Sequence, residues 1–168
     1  NHMTEGLKSL VAQGFERLSG KSQNAVYYLT QSMGGGKTHS IIAFGLLARD
    51  PALRGALMPE QAGEGDFGEA KVVAVNGRDS FDQYVWGYIA DRLGKPGAFT
   101  EFHKHGPKAP SPKDWKALLG DDPVIIMFDE LPTYLQDARS VTVGNSDLAD
   151  VTGRALANLL DAVSSLPR

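Results

Sequence analysis

The chain has 168 residues, 42% of them apolar, which is enough for one domain with a hydrophobic core. Its net charge of −3 argues against a dominant nucleic-acid-binding face, and the absence of cysteine excludes disulfides and thiolate metal sites. No apolar run reaches the roughly 18 residues of a membrane span, and no secretory signal is visible, so we expect a cytoplasmic protein without a membrane partner.

The N-terminal part of the chain predicts helix, strand and helix in that order. The opening Asn1–Met3 is typical of a cloning scar, so we predict a single domain over residues 4–168. Residues 4–22 carry apolar side chains at helical spacing, and residues 25–30 form an apolar and aromatic run that predicts a strand. Residues 38–49 then predict a second helix, which Asp50-Pro51 ends.

The middle of the chain is less regular. Residues 51–70 are rich in Gly, Pro and Glu and predict a loop, with one helical turn as an option. Residues 71–76 predict a strand, and Ser80 is placed to cap a helix over 81–93. Residues 94–112 contain four prolines and three glycines, so we expect an irregular insertion there.

The last third predicts the central strand of the fold. Residues 112–119 predict a short helix, and residues 123–129 are apolar on both faces, as a buried parallel strand must be. A helix or turn follows from Leu131, and a long helix covers 147–166. This alternation of strands and helices predicts an α/β fold, a parallel sheet with helices on both faces. Together with the glycine-rich loop and the acidic pair described below, it predicts the P-loop NTPase type.

A glycine cluster between a predicted strand and a predicted helix resembles a phosphate-binding loop. The loop runs from Gln31 to Thr38; its Gly-Lys-Thr end is intact and Gln31 replaces the usual first glycine. Glycines let backbone amides approach phosphate, and a helix N-terminus favours an anion. We therefore predict that ATP is bound here, by Met33, Gly34, Gly35, Gly36, Lys37, Thr38 and His39.

Each residue of this loop has an expected part. Lys37 supplies a positive charge to the β- and γ-phosphates, and the Thr38 hydroxyl binds Mg²⁺. His39 either faces the nucleotide or lies on the helix surface. The sequence contains no Asn-Lys-x-Asp motif for guanine, which favours ATP as the nucleotide.

An acidic pair ends the strongest predicted strand. We expect Asp129 to hold Mg²⁺ and Glu130 to orient and deprotonate an attacking water, because ligands bind at the carboxyl end of an open α/β sheet. An ordinary helix cap after a strand is the alternative. The catalytic prediction is therefore Lys37 and Glu130, and the metal prediction is Thr38 and Asp129.

Other polar residues remain open. Asn76 and Arg78 either contact phosphate or water, or form a turn. Tyr134 either lies near the base or ribose, or packs. The stretch Lys104–Lys116 holds four lysines, which either form a solvated loop or contact an acidic partner.

Two segments resemble one bacterial family in particular. The runs Leu29–Ser40 and Val124–Leu131 are similar to those of the large P-loop ATPases called domain-of-unknown-function family 499. That family is related to the AAA+ ATPases and is often encoded beside DNA methyltransferases in phage-defence loci. Its members are much longer, and the strand with a γ-phosphate sensor would follow residue 168. The resemblance implies the N-terminal fragment of a larger ATPase.

Three functions follow from these observations. The first is an ATPase module whose hydrolysis drives a conformational change in the larger protein, with proteins or DNA as partners and with oligomers left open. The second is a module that binds the nucleotide and hardly hydrolyses it as an isolated fragment. The third is a small-molecule kinase, which the lack of arginine in 94–112 disfavours.

Overall fold

The computed structural model describes residues 5–30, 36–59 and 67–168 and shows a mixed α/β chain. Its helices are α1 (Glu5–Leu18), α2 (Lys37–Arg49), α3 (Pro51–Leu57), α4 (Tyr84–Arg92), α5 (Pro112–Leu119), α6 (Leu131–Ala138) and α7 (Leu148–Ser165), with a 3-10 turn at Thr100–Phe102. Its strands are β1 (Lys71–Asn76), β2 (Val124–Asp129), β3 (Thr142–Val143) and β4 (Ser146–Asp147). None of the helices described is both long and apolar enough to cross a bilayer.

The two longer strands pair in parallel. The amide of Lys71 donates to the carbonyl of Pro123 at 2.9 Å, and the amide of Gly77 donates to that of Asp129 at 2.8 Å. The two bonds have the same sequence offset, which is the pattern of parallel strands. Within the described ranges β1 and β2 are the whole of this sheet, and β3 and β4 form a separate antiparallel hairpin.

The predicted strand over residues 25–30 is not formed. These residues belong to no strand, and the side chain of Tyr28 is 79% exposed. The hydroxyl of Tyr27 donates to the carbonyls of Gln13 and Asn24, both at 3.0 Å. A strand needs a hydrogen-bonded neighbour along its length, so an apolar and aromatic composition was not sufficient here.

The chain divides into two compact units. One comprises Asn1–Val72, Asp121–Ile125 and Leu166–Arg168, and the other comprises Val73–Gly120 and Ile126–Ser165.

The first unit packs α1 against α2 through aromatic rings. Phe15 stacks on Phe44 with ring centroids 6.1 Å apart, and it also contacts Phe67 at 5.3 Å. A Cβ at Gly14 would lie 2.3 Å from the ring of Phe44, so only glycine admits this ring against α1. The buried Arg54 joins α3 to this core. Its guanidinium lies over the ring of Phe67 at 4.2 Å.

The second unit is built around two fully buried tryptophans, Trp86 on α4 and Trp115 on α5. The indole of Trp115 donates to the carbonyl of Ala155 at 3.0 Å and so ties α5 to α7. Ser111 and Asp114 form a capping box at the start of α5, which begins and ends as the sequence predicts. The long helix predicted over 147–166 is α7.

The irregular segment over residues 94–112 is firmly attached to this second core. Phe99 is buried and meets Trp115 edge-to-face at 5.0 Å. The indole of Trp86 donates to the carbonyl of Phe102 at 3.0 Å, and the side-chain amide of Asn158 donates to that of Pro110 at 2.8 Å. Apart from the 3-10 turn at Thr100–Phe102, the segment is irregular, as expected, and these contacts fix its backbone.

The helix predicted over 81–93 begins later than expected. It starts at Tyr84, and the residue before it, Gln83, makes no side-chain cap. Tyr84 has a φ of 54°, which an α-helix interior does not admit, so the helix cannot extend back to Ser80. Phe81 instead packs its ring against Tyr88 at 4.8 Å.

Candidate functional site

The phosphate loop is described only at its C-terminal end. Met33, Gly34 and Gly35, with the preceding Gln31 and Ser32, lie outside the described residues. Gly36 immediately precedes α2 and has φ 77° and ψ 20°, a left-handed conformation that glycine adopts without steric cost. The Gly36 carbonyl accepts the amide of Ser40 at 2.9 Å, which closes the first helical turn.

The three site residues after Gly36 lie in the first turn of α2. Lys37 begins the helix and is half-buried, whereas Thr38 and His39 are exposed. The N-terminus of a helix carries partial positive charge and directs backbone amides outward, so anions are stabilised there. His39 is exposed on α2, and its contact with the nucleotide stays a prediction.

The acidic pair stands at the carboxyl end of β2. Asp129 is the last residue of the strand, and its side-chain oxygen accepts the amide of Glu130 at 3.1 Å. Glu130 directly precedes α6 with φ 55° and ψ 27°, a left-handed conformation that is uncommon for a residue with a side chain. Such strained residues occur preferentially at functional sites.

The carboxylate of Glu130 contacts two neighbours. Arg78 donates to one oxygen at 3.1 Å, and the Thr133 hydroxyl donates to the other at 3.3 Å. Glu130 occupies the cap position of α6, but its side chain makes no capping bond to a helix amide. Glu130 therefore has the position of an ordinary helix cap, but its carboxylate does not act as one.

Asn76 and Arg78 take different parts after β1. The side-chain oxygen of Asn76 accepts the amide of Arg78 at 3.1 Å, which forms the turn. The side chain of Arg78 reaches Glu130, far along the chain. The sequence left both residues open between a contact with phosphate or water and a turn. It did not predict this ion pair, because the sequence does not give the register between the two strands.

Gly77 makes the close contact between β1 and the acidic pair possible. A Cβ at this position would lie 2.0 Å from the carbonyl oxygen of Glu130 and 2.6 Å from its carbonyl carbon. Atoms do not approach so closely, so any side chain at Gly77 would displace Glu130. A glycine directly after a predicted strand was the signal available in the sequence.

Aromatic rings pack beside this ion pair. Tyr134 lies one turn into α6 and meets the ring of Phe81 at 5.6 Å. Burial raises the pKa of the Tyr134 phenol, and the nearby Thr152 hydroxyl acts in the opposite direction. Of the two roles that the sequence left open for Tyr134, the structure shows packing.

The predicted site residues fall in both units. Lys37, Thr38 and His39 belong to the first unit, and Asp129 and Glu130 belong to the second, with Arg78. In the residues that the structure describes, no cluster of three or more His, Asp or Glu side chains could hold a metal ion. The pairing of Thr38 with Asp129 around Mg²⁺ therefore stays a prediction.

The chain was compared with protein-family models, with curated proteins and with solved structures, and none of them matches it.

Proposed function

We propose that this chain is the nucleotide-binding part of a larger P-loop ATPase. The observation that carries the proposal is Glu130, a strained and half-exposed carboxylate at the end of a parallel strand, directly after Asp129. The Gly36-Lys37-Thr38 sequence at the start of α2 supplies the complementary phosphate-binding chemistry. Strand end and helix start are the two places where P-loop proteins bind nucleotide.

In this proposal each residue has one chemical task. Lys37 neutralises charge on the β- and γ-phosphates, and the amides after Gly36 hold phosphate oxygens. The Thr38 hydroxyl and the Asp129 carboxylate are the oxygen donors that suit Mg²⁺, which would offset phosphate charge when bound. Glu130 accepts a proton from water as the water oxygen attacks the γ-phosphorus, and ADP leaves with the bond to the γ-phosphoryl group broken.

Binding without turnover is the second candidate, and one observation favours it. Both oxygens of the Glu130 carboxylate already accept hydrogen bonds, from Arg78 and from Thr133. Each oxygen has a second lone pair, so an attacking water has to share the carboxylate with Arg78 and Thr133. An isolated module in this state would hold ATP and release phosphate slowly.

The larger role rests on resemblance alone. Similarity of the two motif segments to family 499 suggests that hydrolysis drives a conformational change in a longer bacterial protein that takes part in phage defence. A kinase is less well supported, since the segment over 94–112 contains no arginine that could cover the phosphates.

The decisive experiment measures ATP affinity with and without Mg²⁺. A fluorescent ATP analogue is titrated into the wild-type protein, into Lys37→Ala, and into Lys8→Ala, which removes the same charge from an exposed position on α1. We expect Lys37→Ala to weaken binding about 10- to 100-fold, the value of one or two charge-assisted hydrogen bonds. Lys8→Ala should bind as the wild type does, and equal affinity in all three proteins would refute the proposal.

Phosphate release then separates the two candidates. Glu130→Gln keeps the size of the side chain and removes its basicity, so an active ATPase should lose at least tenfold in turnover at unchanged ATP affinity. Negligible turnover in both proteins, with ATP still bound, would favour the binding module.

A further inference from the structure

Positive charge is concentrated in one stretch of the second unit. Residues 95–116 contain five lysines against two carboxylates, a net charge of +3 within a chain whose total is −3. Lys95 is engaged, because its ammonium donates to the carbonyl of Leu118 at the end of α5. The other four are exposed and are called the basic surface below: Lys104, Lys108, Lys113 and Lys116.

Two carboxylates, Glu101 and Asp114, lie in the same stretch and leave it with its net charge of +3. Asp114 is the nearest carboxylate along α5, and it already accepts the amide of Ser111 at 2.8 Å and its hydroxyl at 2.6 Å. In the part of the chain that the structure describes, the ion pairs involve Lys8, Lys71 and Arg78, and none involves a lysine of the basic surface.

The backbone beneath the basic surface is preorganised. The amide of Lys108 donates to the carbonyl of Phe102 at 3.0 Å, and that carbonyl also accepts the indole of Trp86. Lys113 and Lys116 lie three residues apart on α5 and so share a helix face, which the Ser111 capping box fixes at its start. Because the backbone is already ordered, only the lysine side chains lose conformational entropy on binding.

The loop and the helix that carry these lysines lie side by side. A shallow cavity of about 180 Å³ is lined by Phe99 and Phe102 from the loop and by Asp114 and Ala117 from α5. The ammonium of Lys108 lies 5.9 Å from the centre of the Phe102 ring. The basic surface therefore takes its lysines from two segments that pack against each other.

The residue types identify the partner. Segment 94–119 contains no Arg, Asn or Gln, three of the side chains that contact base edges with two hydrogen bonds, and the large exposed apolar residues described all lie outside it. Lysine is depleted in protein–protein interfaces, which have an apolar centre. Exposed lysines with no large exposed apolar residue among them fit a regular row of phosphates. We propose that the basic surface binds the phosphate backbone of nucleic acid without reading its sequence.

The test is the salt dependence of binding to a labelled 30-base-pair duplex of arbitrary sequence. Four lysine contacts predict a slope of log affinity against log salt of about −3 to −4, or roughly a 100-fold loss of affinity between 50 and 200 mM NaCl. The variant K104Q/K108Q/K113Q/K116Q should bind at least tenfold more weakly at 50 mM and lose most of this slope.

A matched control removes the same charge elsewhere. The variant K8Q/K21Q/R49Q/R139Q changes four exposed positions outside the basic surface and should keep the wild-type slope. Equal losses in both variants, or no duplex binding by the wild type at 50 mM salt, would overturn the proposal. Tighter binding to poly-glutamate than to the duplex would also overturn it and assign the surface to an acidic protein.

This proposal is independent of nucleotide binding. Lys37→Ala should keep the wild-type affinity for the duplex, and the basic-surface variant should keep the wild-type affinity for the ATP analogue. If the basic-surface variant loses both ATP binding and duplex binding, circular dichroism of the same sample shows whether it is folded. An altered spectrum would indicate a folding defect. An intact spectrum would contradict the proposal of a separate surface.

Discussion

At Glu130 the backbone and the side chain are held by different neighbours. The left-handed backbone lets the carbonyl accept the amide of Thr133 at 3.0 Å, and Gly77 packs directly against that carbonyl. The carboxylate meets Arg78 and the Thr133 hydroxyl. A left-handed residue with a side chain costs of order 1 kcal/mol or more, so these contacts together must offset that cost.

Gly77→Ala should destabilise the protein by about 2 to 3 kcal/mol, because the new methyl group would overlap the carbonyl of Glu130. Chemical denaturation measures the free energy of unfolding. Gly153→Ala is the control: it lies exposed on α7 with no atom within 4 Å of its added Cβ, so alanine should stabilise this helix by up to about 1 kcal/mol. Similar effects of the two substitutions would contradict the close approach at Gly77.

The ion pair between Arg78 and Glu130 should contribute little to stability. Both side chains are largely exposed, at 67% and 43%, and exposed pairs are worth about 0 to 1 kcal/mol. A double-mutant cycle with Arg78→Ala and Glu130→Gln, measured by chemical denaturation, should give a coupling energy below about 1 kcal/mol that falls further at 1 M salt. A coupling above 2 kcal/mol would show that the pair is a structural bond rather than an adjustable contact.

At the scale of elements, one buried arginine connects the helices of the first unit. The guanidinium of Arg54 donates to the carbonyls of Leu47 and Ala48 at the end of α2 and to that of Gly68. These helix-end carbonyls have no partner within the helix. Burial lowers the pKa of Arg54, and the nearby Asp50 acts in the opposite direction. Arginine satisfies three acceptors here while its face packs on Phe67.

Arg54→Ala should therefore destabilise the first unit by about 3 kcal/mol, because it removes the hydrogen bonds to three carbonyls and opens a cavity beside Phe67. Thermal and chemical unfolding of the variant measure this loss. Arg49→Ala, at an exposed position in the last turn of α2, should change stability by less than about 0.5 kcal/mol. If the two variants had the same free energy of unfolding, the buried hydrogen bonds of Arg54 would not be stabilising.

Most helices and the two longer strands could be predicted from sequence, but one predicted strand does not form. The prediction for α5 was correct to the residue, because Pro112 begins it and the Ser111 cap is encoded locally. The strand predicted over residues 25–30 failed because strand formation depends on a partner that local sequence does not specify. The β3–β4 hairpin was missed, since two residues on each side are too few for a periodic signal.

The candidate site was predictable in its residue types and not in its contacts. Asp129, Glu130 and the helix start at Lys37 follow from local patterns, and the structure places them at a strand end and a helix start. The ion pair of Glu130 with Arg78 depends on the parallel register of β1 and β2, which is a long-range property. Gly77 owes its importance to the same register.

At the scale of the whole molecule, ligand binding and folding are linked. If ATP binds only the folded chain, it stabilises that chain. ATP with Mg²⁺, at a concentration 100 times its dissociation constant, should add about 2.7 kcal/mol to the free energy of unfolding. Differential scanning fluorimetry with and without the nucleotide measures the corresponding rise in Tm. Lys37→Ala, with its 10- to 100-fold weaker binding, should gain only about 0.4 to 1.4 kcal/mol at the same concentration. An equal rise in both proteins would place the nucleotide elsewhere.

The sequence by itself determined which residues are candidates for this protein's chemistry. A glycine cluster before Lys37, an acidic pair after an apolar run, and lysines segregated in 95–116 are properties of local sequence, because they depend on composition and spacing. Only the tertiary structure decided which of these groups touch. Strand register brought Arg78 to Glu130, and aromatic packing fixed the loop beneath the lysines. Contacts between residues far apart in the chain follow from packing, which local pattern does not encode.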